Sequence, residues 1–424
     1  SIYMDRKETN KIIVAHPGRQ HSFRLATALK KNNMLLYYVT TIYNKKSSWL
    51  MQLVQPFLSK DNLKRANNRK NSFLKDTDVI QYCEFSGMVE ALLVRIDKSR
   101  RAYRFMQRQD SDRFGIKVAK LAIKENVDAV VMYDSNATAG FRYLKKKAPN
   151  IVRILDVSIV PRPYMKKIYQ KEIQNSGNND LKKENEYLWQ PRHLARSQSE
   201  IDDADYFLAA SQFVKEGLIH CGAKEEQIKL IPYGANVISN IEKVNCKENE
   251  KCKFLFVGQV NYRKGIPYLL DVISEMGNTA ELTIVGAYNP DDWFVKKYKD
   301  AANIHFIGLV TFDKMQKIYE QSDVFIIPSF AEGMAQVGIE AMACGLPIIC
   351  TFNSGVSDLV EEGKSGFIIP CGDKEALKSR MTWFVENKLN IHEMGEYARS
   401  KAIRYTWEHY EDNVVIAINQ ILDL

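Results

Sequence analysis

The chain has 424 residues, 45% apolar and 26% charged, with a formal net charge of +9. That balance is typical of a folded globular protein with room for two domains. No run reaches the roughly 18 to 20 consecutive apolar residues that span a bilayer, and the first twenty residues lack the zones of a signal peptide, so a cytoplasmic location is expected.

The charge is unevenly spread: residues 1–245 carry roughly 42 Lys/Arg against 26 Asp/Glu, and the rest roughly 18 against 25. A basic N-terminal half suits an anionic partner. The seven cysteines are scattered and never form a C-x2-C pair, so free thiols and no metal site are expected.

Short β-branched runs alternate with helical patterns along the chain, the pattern of β-α-β units and parallel sheets. In the N-terminal half the expected strands are 11–16, 34–40, 127–133, 152–157, 206–210 and 228–232. After the first of them, His16-Pro-Gly-Arg-Gln-His21 opens a helix. Gly18 permits close backbone approach, and Arg19 and His21 are placed to meet phosphate or acceptor, although a helix-start role accounts for His21 equally well. Between Lys45 and Lys75, Trp49, Leu50, Leu53, Val54, Phe57 and Leu58 lie among Lys60, Lys64, Arg65, Arg69 and Lys70. Such a segment suits an anionic membrane surface, with packing on the domain core as the alternative. No nucleic-acid-binding module accompanies the charge.

Asp134 and Asp156 sit at strand ends, where either a turn or a functional role fits. Gln174–Glu186, with its Asn-Ser-Gly-Asn-Asn-Asp run, reads as a mobile surface loop. Ala235–Lys253 is polar and aperiodic and reads as a linker, giving domains at 1–238 and 239–404. Strands are expected in the second at 254–258, 282–286, 304–308, 324–328, 347–350 and 366–369, and residues 405–424 form an amphipathic helix.

Pro328–Gly345 carries the most information. A strand ends at Pro328, a loop carries Glu332 and Gly333, and a helix runs from about Gln336 until Gly345 stops it. Unpaired N–H groups near Met334, Ala335 and Gln336 would then stabilise an anion such as a diphosphate. Glu332 and Glu340, about 12 Å apart if the segment is largely helical, could each accept from vicinal hydroxyls.

With Ala341–Pro347 following, this E-x7-E arrangement resembles family 4 of the retaining glycosyltransferases with the GT-B fold. Phe256-Val-Gly-Gln-Val-Asn-Tyr-Arg-Lys-Gly resembles that family's donor-phosphate loop, Ile231-Pro-Tyr-Gly its interdomain segment, and Asn353–Phe367 its next loop and strand. The resemblance implies two Rossmann-like domains with parallel sheets facing across a cleft, and a final helix crossing back to the first domain. It implies Lys264 and Arg263 on the donor pyrophosphate, Glu332 on the donor sugar, and Glu340 on the ribose. Gly333, Met334, Ala335, Gln336, Gly18, Gln259 and Val310 would border the donor, with Asp156 near the reacting sugar and Arg19 and His21 toward the acceptor. Gln259 stands where many members have Arg, and Met334-Ala335-Gln336 replaces the usual F-G-L.

The expected activity is retaining transfer of a hexose from a nucleotide-diphosphate sugar, without metal or cofactor, to a glycan or lipid-linked acceptor. Bacterial surface polysaccharide or lipopolysaccharide assembly is the role the resemblance suggests, in the cytoplasm or peripherally on the inner face of the membrane. An inert GT-B subunit supporting a partner transferase, or a GT-B nucleotide-sugar epimerase, would share the architecture.

Overall fold

The computed structural model describes residues 9–18, 21–43, 72–96, 101–177, 179–186, 189–238 and 240–423. Seven strands form the first sheet: β1 (Ile12–Ala15), β2 (Leu35–Thr40), β3 (Val79–Gln81), β4 (Ala129–Tyr133), β5 (Val152–Val157), β6 (Tyr206–Ala209) and β7 (Ile228–Leu230). Six form the second: β8 (Cys252–Val257), β9 (Ala280–Val285), β10 (Ile304–Gly308), β11 (Val324–Ile327), β12 (Ile348–Thr351) and β13 (Gly366–Ile369). The expected strands all occur, within two residues at each end. β3 escaped the sequence pattern because three residues on a sheet edge are too few to show a period.

All pairings are parallel, in the orders β3-β2-β1-β4-β5-β6-β7 and β10-β9-β8-β11-β12-β13. Strands such as Ile-Ile-Val-Ala in β1 and Val-Phe-Ile-Ile in β11 are buried along their whole length because helices cover both sheet faces. Each sheet reverses its order once, between β1 and β4 and between β8 and β11. Loops diverge at such points and leave a crevice outside the carboxyl ends of the strands.

A buried apolar cluster runs through both halves, while a second covers the other face of the first sheet. The halves meet where Tyr169 stacks edge-on against Phe330 at 6.4 Å and the Tyr268 hydroxyl donates to Glu172 Oε1 at 2.6 Å.

The loop expected at Gln174–Glu186 is instead largely helical, formed by the end of Arg162–Ser176 and by Asp180–Asn185, with the break at Gly177 (φ 68°). Its polar composition misled because this segment bridges the halves: Leu181 is fully buried, and Asp180 accepts from Tyr262 and Trp293. The final helix, Trp407–Asp423, packs on helix Ser22–Lys31 of the first half, where Lys31 Nζ lies 2.7 Å from Glu411.

Candidate functional site between the two sheets

The C-terminal side of the site is built on the β8/β11 crevice. Beyond β8 the chain turns through Asn261–Lys264 into Gly265, whose φ of 75° caps helix Ile266–Glu275. A Cβ on Gly265 would lie 2.1 Å from the Pro328 carbonyl, so glycine lets the Arg263-Lys264 turn sit directly on the end of β11. Lys264 Nζ thereby reaches to 2.5 Å from Glu332 Oε1, and Arg263 Nη1 to 3.1 Å from Oε2. Ser329 Oγ donates to the same carboxylate at 3.0 Å. Burial works to raise the Glu332 carboxyl, but the charges of Lys264 and Arg263 outweigh it and hold the group below its ordinary value. Glu332 is 8% exposed, so it is a clamped anion rather than a group standing in open solvent.

Helix Gln336–Ala343 begins four residues later. Glu332 therefore belongs to the loop before the helix, and the 12 Å separation from Glu340 that a continuous helix would give does not apply. Of the three N–H groups expected to be unpaired, that of Ala335 donates to the Ser354 carbonyl at 3.0 Å. Among the described residues, the Met334 and Gln336 N–H groups have no hydrogen-bond partner, and they remain donors at a helix N-terminus. Glu340 is half-buried and accepts from Tyr319 Oη at 3.4 Å; burial raises its carboxyl, against that hydrogen bond.

Across the cleft, His21 and Asp156 come together although 135 residues separate them, with Nε2 3.1 Å from Oδ1. The sequence suggested each residue singly and gave no sign that they pair. Tyr133, Tyr233 and Tyr410 surround the imidazole at 5.3, 4.3 and 6.2 Å between ring centroids, so the final helix supplies one wall. Burial first, then the charge of Asp156, pushes all three hydroxyls well up, keeping them protonated.

The two sides touch at Gly333. Ser211 Oγ donates to its carbonyl at 2.6 Å, and Val160 N donates to the Glu332 carbonyl at 3.4 Å. A Cβ on Gly333 would fall 2.0 Å from the Ser158 carbonyl, which explains the glycine here. A cleft of about 470 Å³ lies beside this contact, bordered by His21, Arg24, Tyr233, Glu332, Gln336 and Trp407, with Ser158, Gly333 and Met334 at its edge.

Three of the expected site residues do not border this 470 Å³ cleft. Gly18 lines a separate cavity of the first half, and its N–H donates to His16 Nδ1 at 2.8 Å instead of pointing free. Gln259 borders a cavity of about 670 Å³ over β8 and β9 with Val260, Ala287 and Tyr288. Val310, beyond β10, packs on the C-terminal core and lines none of these clefts, because β10 is the edge strand, two strands away from β8 at the switch point. Arg19, and residues 45–70 of the basic amphipathic segment, lie outside the described residues. Sequence reasoning missed Ser158, Arg24 and Trp407, which carry no local motif.

No group of His, Cys, Asp or Glu among the described residues is arranged to hold a metal ion. The seven cysteines are free thiols, and no described helix is long and apolar enough to cross a membrane.

Two parallel Rossmann-like sheets facing a shared cleft make this a GT-B protein, and solved structures of that architecture overlie nearly the whole chain. Residues 237–401 match the family model described as glycosyl transferases group 1. An uncharacterized glycosyltransferase of Methanocaldococcus jannaschii is 25% identical over 272 residues, which is 59% of this chain and 67% of that one. The sulfoquinovosyl transferase of Arabidopsis thaliana is 26% identical over 219 residues, 48% of this chain and 42% of its own. The matched segments of the next two relatives cover 44% and 53% of their lengths, so the chain spans about half of most of these relatives. Among solved structures, the lipopolysaccharide outer core galactosyltransferase WaaB superposes with a TM-score of 0.65 at 14% identity, covering 97% of this chain and 99% of that one. The Anabaena protein HepE in complex with UDP-glucose gives a TM-score of 0.58 at 13% identity, covering 97% and 99%.

Proposed function

We propose that the protein is a retaining glycosyltransferase that moves a hexose from a nucleotide-diphosphate sugar to a glycan or lipid-linked acceptor, in assembly of a bacterial surface polysaccharide or lipopolysaccharide. The observation that carries this reading is the clamp of Lys264 and Arg263 on Glu332, set beside the N–H donors of Met334 and Gln336. Fixed cations and aimed N–H groups stabilise the charge that grows on a departing diphosphate. Glu332 then holds donor-sugar hydroxyls while its own charge stays balanced, and Glu340 takes the ribose. Gln259, Val260 and Tyr288 border the space left for the base.

On the opposite side, Asp156 orients His21 toward the reacting sugar, and neither Glu332 nor Glu340 serves as a covalent nucleophile. The displacement proceeds on one face of the sugar through an oxocarbenium-like state, with the leaving phosphate taking the acceptor proton. No metal is needed, since Lys264 and Arg263 supply the positive charge. The lipopolysaccharide enzyme and the UDP-glucose complex among the structural neighbours agree with the substrate class.

A peripheral place on an anionic membrane belongs to the same proposal. Phe85, Leu92, Ile96 and Phe105, exposed on helices Glu84–Ile96 and Arg101–Lys124 of the basic half, support it. The deciding experiment is a melting screen against UDP-, GDP- and ADP-sugars, followed by NMR of the product's anomeric carbon. Stabilisation by one nucleotide class and a retained anomer are expected; an inverted product, or no stabilisation by any, overturns the reading.

A further inference from the structure

The first half holds a second cavity, of about 690 Å³, at the β1/β4 switch point. Ser158 lines both this cavity and the interdomain cleft, so the two adjoin at the residue touching Gly333. Three guanidinium groups reach its wall from three separate elements: Arg108 on helix Arg101–Lys124, Arg162 at the start of helix Arg162–Ser176, and Arg196 on helix Pro191–Asp203.

Arg196 is already neutralised, with both Nη atoms on Asp112 at 3.2 and 2.7 Å. Among the described residues Arg108 and Arg162 make no ion pair, although the charge of Arg162 acts on the nearby Asp134 carboxyl. Arg108 Nη1 is buried with no hydrogen-bond partner among the described residues, and Arg162 donates to Ser135 Oγ at 3.3 Å, a neutral acceptor. His193, buried beside them, is pushed down to about 4 by burial first and then by the charges of Arg162, Arg192 and Arg108, with paired Arg196 acting least.

Carboxylates on the same wall offset part of this charge, but among the described residues none accepts from Arg108 Nη1. Glu90 is pushed up to about 8 by burial and by its hydrogen bond to Asp110, so at neutral pH its carboxyl is largely protonated. Asp134 is occupied by the Ser158 N–H at 2.8 Å and by its hydroxyl. A buried guanidinium N–H without an acceptor is costly, and its planar fork matches a phosphate or a carboxylate.

We propose that this cavity binds an acceptor sugar bearing an anionic group, a phosphate or a carboxylate. Arg108 and Arg162 grip the anion, and the ring's hydroxyls reach past Ser158 to the transfer site, with Glu90 and Asp110 accepting from hydroxyls on the way. The inference rests on the transferase reading and names the acceptor class that reading leaves open.

The test is calorimetry on the full chain, saturated with whichever nucleoside diphosphate stabilises it most so that the donor site is filled. The probes are inorganic phosphate, glucose 6-phosphate, methyl glucuronide and methyl glucoside. The anionic probes should bind more tightly than methyl glucoside, weaken with salt, and lose about tenfold or more in affinity in Arg108→Gln and Arg162→Gln. The better of glucose 6-phosphate and methyl glucuronide tells phosphate from carboxylate. Unchanged nucleotide affinity in both variants shows that they are folded. Equal binding of neutral and anionic probes, or parental anion affinity in both folded variants, overturns the proposal. A parent chain that binds no nucleotide would sink the transferase reading instead, and phosphate binding to the nucleotide-free chain and its two variants would still decide this one.

Discussion

Replacing Lys264 with Ala separates what the clamp contributes to the fold from what it contributes to the reaction. The substitution removes an ammonium group 2.5 Å from Glu332 Oε1, on a side chain only 13% exposed. Breaking a buried ion pair by deleting one partner costs about 3–5 kcal/mol when nothing else satisfies the survivor. Here Arg263 Nη1 stays 3.1 Å from Oε2 and Ser329 Oγ 3.0 Å from Oε1, so about 1–3 kcal/mol is the expected loss. The variant should fold and melt a few degrees lower. Transfer should suffer far more, because the lost charge faces the leaving diphosphate as its charge develops; about 3–4 kcal/mol, or roughly 100 to 1000-fold in kcat, is expected. Nucleotide release measured on adding acceptor, beside a melting curve of the same sample, reads both quantities. Turnover near the parental rate in a folded Lys264→Ala chain would refute the assignment of Lys264 to the diphosphate.

Four further outcomes are expected. Because Lys264 and Arg263 hold Glu332 below its ordinary carboxyl value of 4.5, its pairing stabilises the fold fully above that pH and is lost as pH falls through the lowered value; Glu332→Gln should therefore show a flatter acid dependence of Tm than the parent, and parallel curves would contradict the clamp. Gly333→Ala, whose methyl would meet the Ser158 carbonyl at 2.0 Å, should push the halves apart and lower kcat, whereas parental kinetics would mean that this contact is not made during turnover. Transfer should survive EDTA; loss on chelation that Mg²⁺ or Mn²⁺ restores would return a metal to the mechanism. Co-sedimentation with vesicles should rise with anionic lipid, fall with salt, and drop when Lys64, Arg65, Arg69 and Lys70 are together changed to Gln, while equal recovery on neutral vesicles would remove the membrane from the proposal.

The C-terminal half of the site was readable in the amino-acid order because its parts are local. Pro328, Glu332, Gly333 and the helix from Gln336 lie within one strand-loop-helix unit, and Gly265 marks the turn that carries Arg263 and Lys264. β-Branched runs buried on both faces also announce parallel strands whatever their final order. The N-terminal half was readable only as candidates: His21 and Asp156 each had an ordinary explanation as a helix start and a strand end.

Only the tertiary structure decided which candidates meet. His21 joins Asp156 because β1 and β5 both lie next to β4, which brings their carboxyl ends to one side of the sheet. Glu332 became a buried, clamped anion because the turn after β8 lies against the end of β11. Ala335 lost its free N–H to Ser354, and the polar stretch at Gln174–Glu186 became a helical bridge with Leu181 buried, through contacts with residues far along the chain. Periodicity reports which face of an element is covered, since burial repeats with the local geometry of helix and strand. It carries no record of strand order or domain docking, and those two set every distance across this cleft.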